Sequence, residues 1–166
     1  MNQDKECFSL YDTMNLQTDA VIANQAKELS YKTKYINGNQ LRIITTSTTG
    51  VGINRNIALS ASTADYIVFA DDDVEYVDNY KKIIESAFEE VPNADILIFN
   101  IEFSGNRASK NNSKIKKINI LNFFPYGTVR IVAKRDVIIK KNIWFSHLFG
   151  GGAKYGSGED SLFLRE

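Results

Sequence analysis

The sequence predicts an α/β domain whose central, mostly parallel sheet is covered by helices on both faces. Two observations predict it. Short apolar segments alternate with longer amphipathic ones, and the amphipathic ones have the length of crossover connections between parallel strands. A third bounds the size: 166 residues, 43% of them hydrophobic and 24% charged, form one domain with a real core but not two.

The expected strands are residues 19–24 (DAVIAN), 41–46 (LRIITT), 66–70 (YIVFA), 95–103 (DILIFNIEF) and 128–133 (TVRIVA), each short and rich in β-branched or aromatic residues. Helices are expected over 5–14, with Cys7, Leu10, Tyr11 and Met14 on one face, and over 53–62, with Ile53, Ile57 and Ala61. A third helix over 78–91 takes Asp78 as its N-cap, aligns Ile83, Ile84, Ala87, Phe88 and Val91, and stops before Pro92. Residues 104–117 are polar, basic and aperiodic, a surface loop whose charge reads as a solvated face. A last helix begins near Gly158 and runs to Glu166.

Composition excludes several functions. Lys+Arg and Asp+Glu balance at 20 each, so no global field recruits nucleic acid or an anionic membrane. The single Cys7 forms no intramolecular disulfide and excludes a cysteine-built metal site. Few cysteines and no leader segment fit the cytoplasm. The apolar runs fall far short of the roughly 20 residues a membrane helix needs.

Three segments carry candidate chemistry. Asp71-Asp72-Asp73 follows the strand at 66–70, and ligands of open α/β sheets sit outside the carboxyl ends of strands. In an extended chain Asp71 and Asp73 point one way and Asp72 the other. Two converging carboxylates repel unless a cation joins them, and Mg²⁺ or Mn²⁺ does so while also binding substrate phosphates. A simple aspartate-rich turn explains the triplet equally well. Gly150-Gly151-Gly152 lets backbone approach a ligand closely. Beyond it, Glu159 and Asp160 sit in the first turn of a helix, where the dipole favours carboxylates in any case. Gly50-x-Gly52 enters the helix at 53–62 and could cradle phosphate. It also mimics a dinucleotide fingerprint, but Arg55 stands where the third glycine belongs. His147 and Trp144 read as packing residues, and Cys7 has no neighbouring base in sequence.

Residues 50–73 (GVGINRNIALSASTADYIVFADDD) resemble the donor-site region of glycosyltransferase family 2. There, a Gly-x-x-x-Ala-Arg-Asn-like helix start leads into a strand ending in Asp-x-Asp. Asn54-Arg55-Asn56 matches with Asn for Ala, Asp71-x-Asp73 matches directly, and Gly158-Glu159-Asp160 is similar to the family's Glu-Asp motif. The resemblance extends over nearly the whole chain. It implies the three-layer, Rossmann-like nucleotide-diphospho-sugar transferase (GT-A) fold and a metal-assisted, inverting transfer of a sugar to a hydroxyl. Asp71, Asp72 and Asp73 would face the donor, with Asp71 and Asp73 on Mn²⁺ or Mg²⁺. Asp160 would be the general base, and Glu159 would position the base or the acceptor. Arg55 would face the diphosphate or brace the loop against a carboxylate.

The family's second strand usually ends in an Asp-Asp-Gly-Ser-like segment that reads the nucleotide base. The counterpart here is Asn24-Gln25-Ala26-Lys27, where Asn24 would contact the donor base. The first strand is reduced to Met1-Asn2-Gln3 and the acceptor-side elements after the Glu-Asp helix are missing, so a single catalytic domain truncated at both ends is expected. The implied partners are a UDP-sugar and a saccharide or lipid-linked acceptor, and the implied setting is bacterial polysaccharide or capsule synthesis at or near the inner face of the membrane. A non-catalytic nucleotide-sugar binding module and a dinucleotide-dependent oxidoreductase are the alternatives.

Overall fold

The computed structural model describes residues 7–104, 111–119, 121–122 and 126–166. The beginning of the expected first helix and much of the basic loop lie outside them. Strands β1 (Ala20–Gln25), β2 (Ser30–Ile36) and β3 (Asn39–Thr46) form one sheet in the order β1-β3-β2. Strands β4 (Tyr66–Val68), β5 (Ile96–Ile98) and β6 (Ile131–Lys134) form another in the order β4-β6-β5. The helices are α1 (Leu10–Thr13), α2 (Val51–Ala61), α3 (Tyr80–Glu90), α4 (Arg135–Lys140) and α5 (Glu159–Arg165).

Strand direction departs from expectation. Among these six strands only β1 and β3 pair in parallel, with Asn24 opposite Thr45. β2 runs antiparallel to β3, and β6 runs antiparallel to both β4 and β5. The mostly parallel sheet is therefore not what these ladders form. The first reason is a hairpin the apolar pattern hides. Asn37 (φ 50°) and Gly38 (φ 82°) are both left-handed, the two-residue turn that matches strand twist, and Ile36 pairs with Asn39 across it. Residues 31–35 are all exposed, so β2 has no buried face to leave an apolar alternation. The second reason is β6, which follows a short helical turn at Thr128–Arg130 and enters between β4 and β5.

Helix faces follow the expected spacing in part. Cys7, Leu10, Tyr11 and Met14 are all buried, as expected, and three of them form a small core with Ile43. On α2 the buried positions are Gly52, Asn56 and Leu59 rather than Ile53, Ile57 and Ala61. The shift arises because Asn56 buries its amide against backbone: its Nδ2 donates to Phe145 O and its Oδ1 accepts from Phe145 N, both at 2.9 Å. On α3, Phe88 is buried and stacks on Tyr66, whereas Ile83 is 48% exposed. The α3 N-cap is Asn79, not Asp78; Asp78 instead accepts a bond from Asn15.

The larger core gathers Leu59, Ile67, Phe69, Ile131, Ala133, Ile138, Ile143, Phe145 and Phe163. Phe145 and Phe163 stack at 4.2 Å, with Phe69 edge-on to both. This aromatic cluster anchors α5 to the sheet, and so fixes where its first turn can point. No helix among the described residues is long and apolar enough to cross a membrane.

A side chain at Gly38 would meet nothing within 4 Å, so Gly38→Ala isolates the strain of its positive φ. A loss of about 1 kcal/mol is expected, read from the urea unfolding midpoint.

Candidate functional site

The site begins where α2 does. Gly50, at φ 113°, caps the helix, and the Val51 N–H donates to Gly151 O at 2.9 Å. A Cβ on Gly152 would stand 3.2 Å from Gly50 N, and one on Gly52 would stand 2.4 Å from Ser146 O. Gly152 thus packs backbone against backbone on Gly50, and Gly52 does so on Ser146, close approaches that glycine permits. Gln25 Nε2 donates to Gly50 O at 3.1 Å, and Asn54 Nδ2 donates to Ala23 O at 2.6 Å, tying the same turn to β1.

One turn into α2, Arg55 meets three carboxyl groups. Its Nη2 bonds Asp71 Oδ1 at 3.1 Å, and its Nη1 bonds Glu159 Oε1 at 3.3 Å and Asp160 Oδ1 at 2.9 Å. The Arg55 side chain is only 12% exposed, and its guanidinium carbon lies 5.4 Å from the centre of the Phe145 ring. A planar fork of donors suits this task better than an ammonium point charge would. Arg55 thus braces carboxylates from the turn after β4 and from the start of α5.

Asp160 has a second holder. Thr128, 2% exposed, donates its backbone N–H to Asp160 Oδ2 at 3.1 Å and its hydroxyl to Oδ1. Glu159 is 13% exposed at its side chain and lies under Gly150, where an added Cβ would come within 2.9 Å of Oε2. Beside the pair, a cleft of about 240 Å³ opens between Tyr126–Gly127 and residues 156–161.

The aspartate triplet is not extended. Val74 N–H donates to Asp71 O at 3.2 Å, which makes residues 71–74 a turn, so the expected alternation of Asp71 and Asp73 does not apply. Asp71 is half-exposed, Asp72 and Asp73 are exposed, and no ion pair or hydrogen bond engages the last two among the described residues. Tyr76 stacks on Tyr80 nearby, and burial, then Tyr80 and Asp71, push its hydroxyl above the ordinary range. No three His, Cys, Asp or Glu side chains of the described residues gather to hold a metal alone. Mg²⁺ needs no such cage: it takes one or two carboxylates with substrate phosphates and water, and the uncommitted oxygens of the triplet fit that mode.

The remaining expected residues are accounted for as follows. Asn24 is buried, with its amide toward Thr45 Oγ1 at 3.4 Å. Gly151 and Gly152 join the loop to α2, and a side chain at Gly151 would meet nothing within 4 Å. His147 is exposed, with Nε2 3.2 Å from Asn56 Nδ2. Burial pushes the Cys7 thiol up, an environment unlike that of a nucleophile. Sequence reasoning missed Thr128 as a site residue. Its role depends on contacts across the fold, and it carries no local signal.

The sequence pattern of "Glycosyl transferase family 2" matches residues 3–147. The chain belongs to glycosyl transferase family 2. Among solved structures, it resembles Staphylococcus aureus TarS 1–349 in complex with UDP, with TM-score 0.60 and 21% identity over 76% of this chain and 38% of that one. A second structure of TarS 1–349 gives TM-score 0.58 at the same identity and coverage, and a further TarS structure gives 0.59 over 74% of this chain and 22% of that one. At this identity the likeness establishes a GT-A-like α/β fold. The family 2 chain thus spans well under half the length of these proteins. No curated protein matches it.

Removing Arg55 leaves acids facing one another. Arg55→Ala is expected to cost about 3 kcal/mol in urea unfolding, mostly from the Glu159 and Asp160 side, since water screens the half-exposed Asp71. Arg55→Lys should restore only part of it, because an ammonium cannot serve the three acids as a fork does.

Proposed function

We propose that this family 2 chain is a single catalytic domain that transfers a sugar, with inversion, from a nucleotide-diphosphate donor to a hydroxyl acceptor. The observation that carries the reading is Arg55, whose one guanidinium bonds Asp71 of the triplet and both acids of the Glu-Asp pair. Asp71 is thereby held next to the Glu-Asp pair, whose two acids line the cleft. Family membership supports the reaction class, and the likeness to a protein solved with UDP supports a UDP-sugar as donor.

In this reading Asp71 and Asp73 hold a divalent cation together with the donor diphosphate, and Asp72 and Asn24 contribute on the donor side. The cation, when bound, supplies Lewis-acid neutralisation of charge on the departing diphosphate. Asp160 takes the acceptor's proton as general base. Arg55 holds that carboxylate and sets its distance from Asp71, and Glu159, bound to the same guanidinium, positions the base or the acceptor. Inversion needs one base on the face opposite the leaving group, and Asp160, which lines the cleft with Glu159, is the carboxylate assigned to it. Gly151 and Gly152 keep the acceptor-side loop close to the entry of α2. The acceptor is a saccharide or a lipid-linked sugar, and the setting is polysaccharide or capsule synthesis in the bacterial cytoplasm, at the inner face of the membrane.

Calorimetry should show UDP binding that depends on Mn²⁺, and Asp160→Asn should lower transfer by about 10²–10⁴-fold while donor affinity stays near that of the wild type. A collapse of UDP affinity in Asp160→Asn would sink the assignment of the base. Mn²⁺-dependent UDP binding without any turnover would mark a binding module instead.

A further inference from the structure

The two carboxylate oxygens of Asp160 are not equivalent. Oδ1 accepts from Arg55 Nη1 at 2.9 Å and from the Thr128 hydroxyl. A carboxylate oxygen has two lone-pair sites, so Oδ1 is filled. Oδ2 accepts one bond, from the Thr128 backbone N–H at 3.1 Å, and keeps a lone pair. Among the described residues, that oxygen is also the one neighbour of a side chain built at Gly127, 3.4 Å from its Cβ. Gly127 and Asp160 both line the cleft. With φ −85° and ψ 164°, Gly127 has an extended backbone that any residue adopts. Backbone strain therefore does not explain the glycine, whereas open access to Oδ2 does.

We propose that Oδ2 of Asp160 is the atom that takes the acceptor's proton, that Thr128 selects it, and that Gly127 leaves it uncovered. The proposal rests on the reading of Asp160 as base and adds the reacting atom and two residues to it. In the step, the acceptor O–H bond breaks and its proton passes to Oδ2. The freed electron pair forms the bond to the anomeric carbon, whose bond to the diphosphate oxygen breaks with its pair leaving on the diphosphate. Thr128 is a positioning residue. Its two donors grip two oxygens of one carboxyl group and stop rotation about a terminal torsion that is otherwise broad. At 2% exposure, water does not compete for that grip.

The test compares Thr128→Val, Thr128→Ser, Gly127→Ala and Asp160→Asn. The assay is UDP release from UDP-glucose, UDP-galactose and UDP-N-acetylglucosamine in Mn²⁺, with melting temperature recorded alongside. Thr128→Val should lower kcat about tenfold or more with donor KM unchanged, and Thr128→Ser should restore it to within about threefold, since it keeps both donors. Gly127→Ala should lower kcat similarly at unchanged melting temperature. Wild-type kcat in a folded Thr128→Val, or equal damage from Thr128→Ser and Thr128→Val, would overturn the proposal while loss of activity in Asp160→Asn keeps the base. Full activity in Asp160→Asn, or no turnover by the wild type, overturns the base and the proposal together. A crystal structure of Thr128→Val gives a reading independent of turnover: Asp160 should occupy more than one carboxyl orientation, and a single unchanged one counts against Thr128.

Discussion

One guanidinium opposite three acids is the constraint on which the rest of the site depends. Arg55 is nearly buried, and such a charge is tolerated only where carboxylates and donor geometry compensate for lost water. Asp71, Glu159 and Asp160 supply that compensation from a turn after β4 and from the first turn of α5. In exchange they receive fixed positions, which neither a surface turn nor a seven-residue helix would hold alone. The pairing thus works in both directions: the cation needs the acids to be buried, and the acids need the cation to be close together.

Everything that places Arg55 is backbone-scale packing. Gly52 lets α2 touch the Ser146 carbonyl, Asn56 binds both polar groups of the Phe145 backbone, and Phe145 lies beneath the guanidinium while stacking on Phe163 of α5. A single ring therefore contacts the arginine on α2 and the core anchor of the helix that carries Glu159 and Asp160. The aromatic core and the charged site are one mechanical unit.

Much of this was legible in the sequence, but unevenly. The face Cys7, Leu10, Tyr11 and Met14 and the helix after Gly158 were readable because apolar spacing and glycine punctuation are local. Strand direction was not: an apolar run such as IVAK carries no sign of which way it enters a sheet, and β6 entered antiparallel. β2 escaped because both its faces meet solvent, leaving only Asn37-Gly38 as a cue. The buried stripe of α2 was misread because Asn56 looks polar until the Phe145 backbone satisfies it. In the site, Arg55 and the acids were visible through motif resemblance, whereas Thr128 acts across 32 residues of chain and has no signature short of the fold itself.

The exposed strand β2 has a consequence for the protein in solution. It is one of the two outer strands of its sheet among the described residues, and such a row of backbone groups invites copies of the chain to pair edge to edge. Lys32 and Lys34 stand on that strand, with Lys34 held over Phe8. Two like molecules approaching along this edge bring cation against cation, so the lysines act as gatekeepers against fibre-like self-association, a protection that added salt weakens.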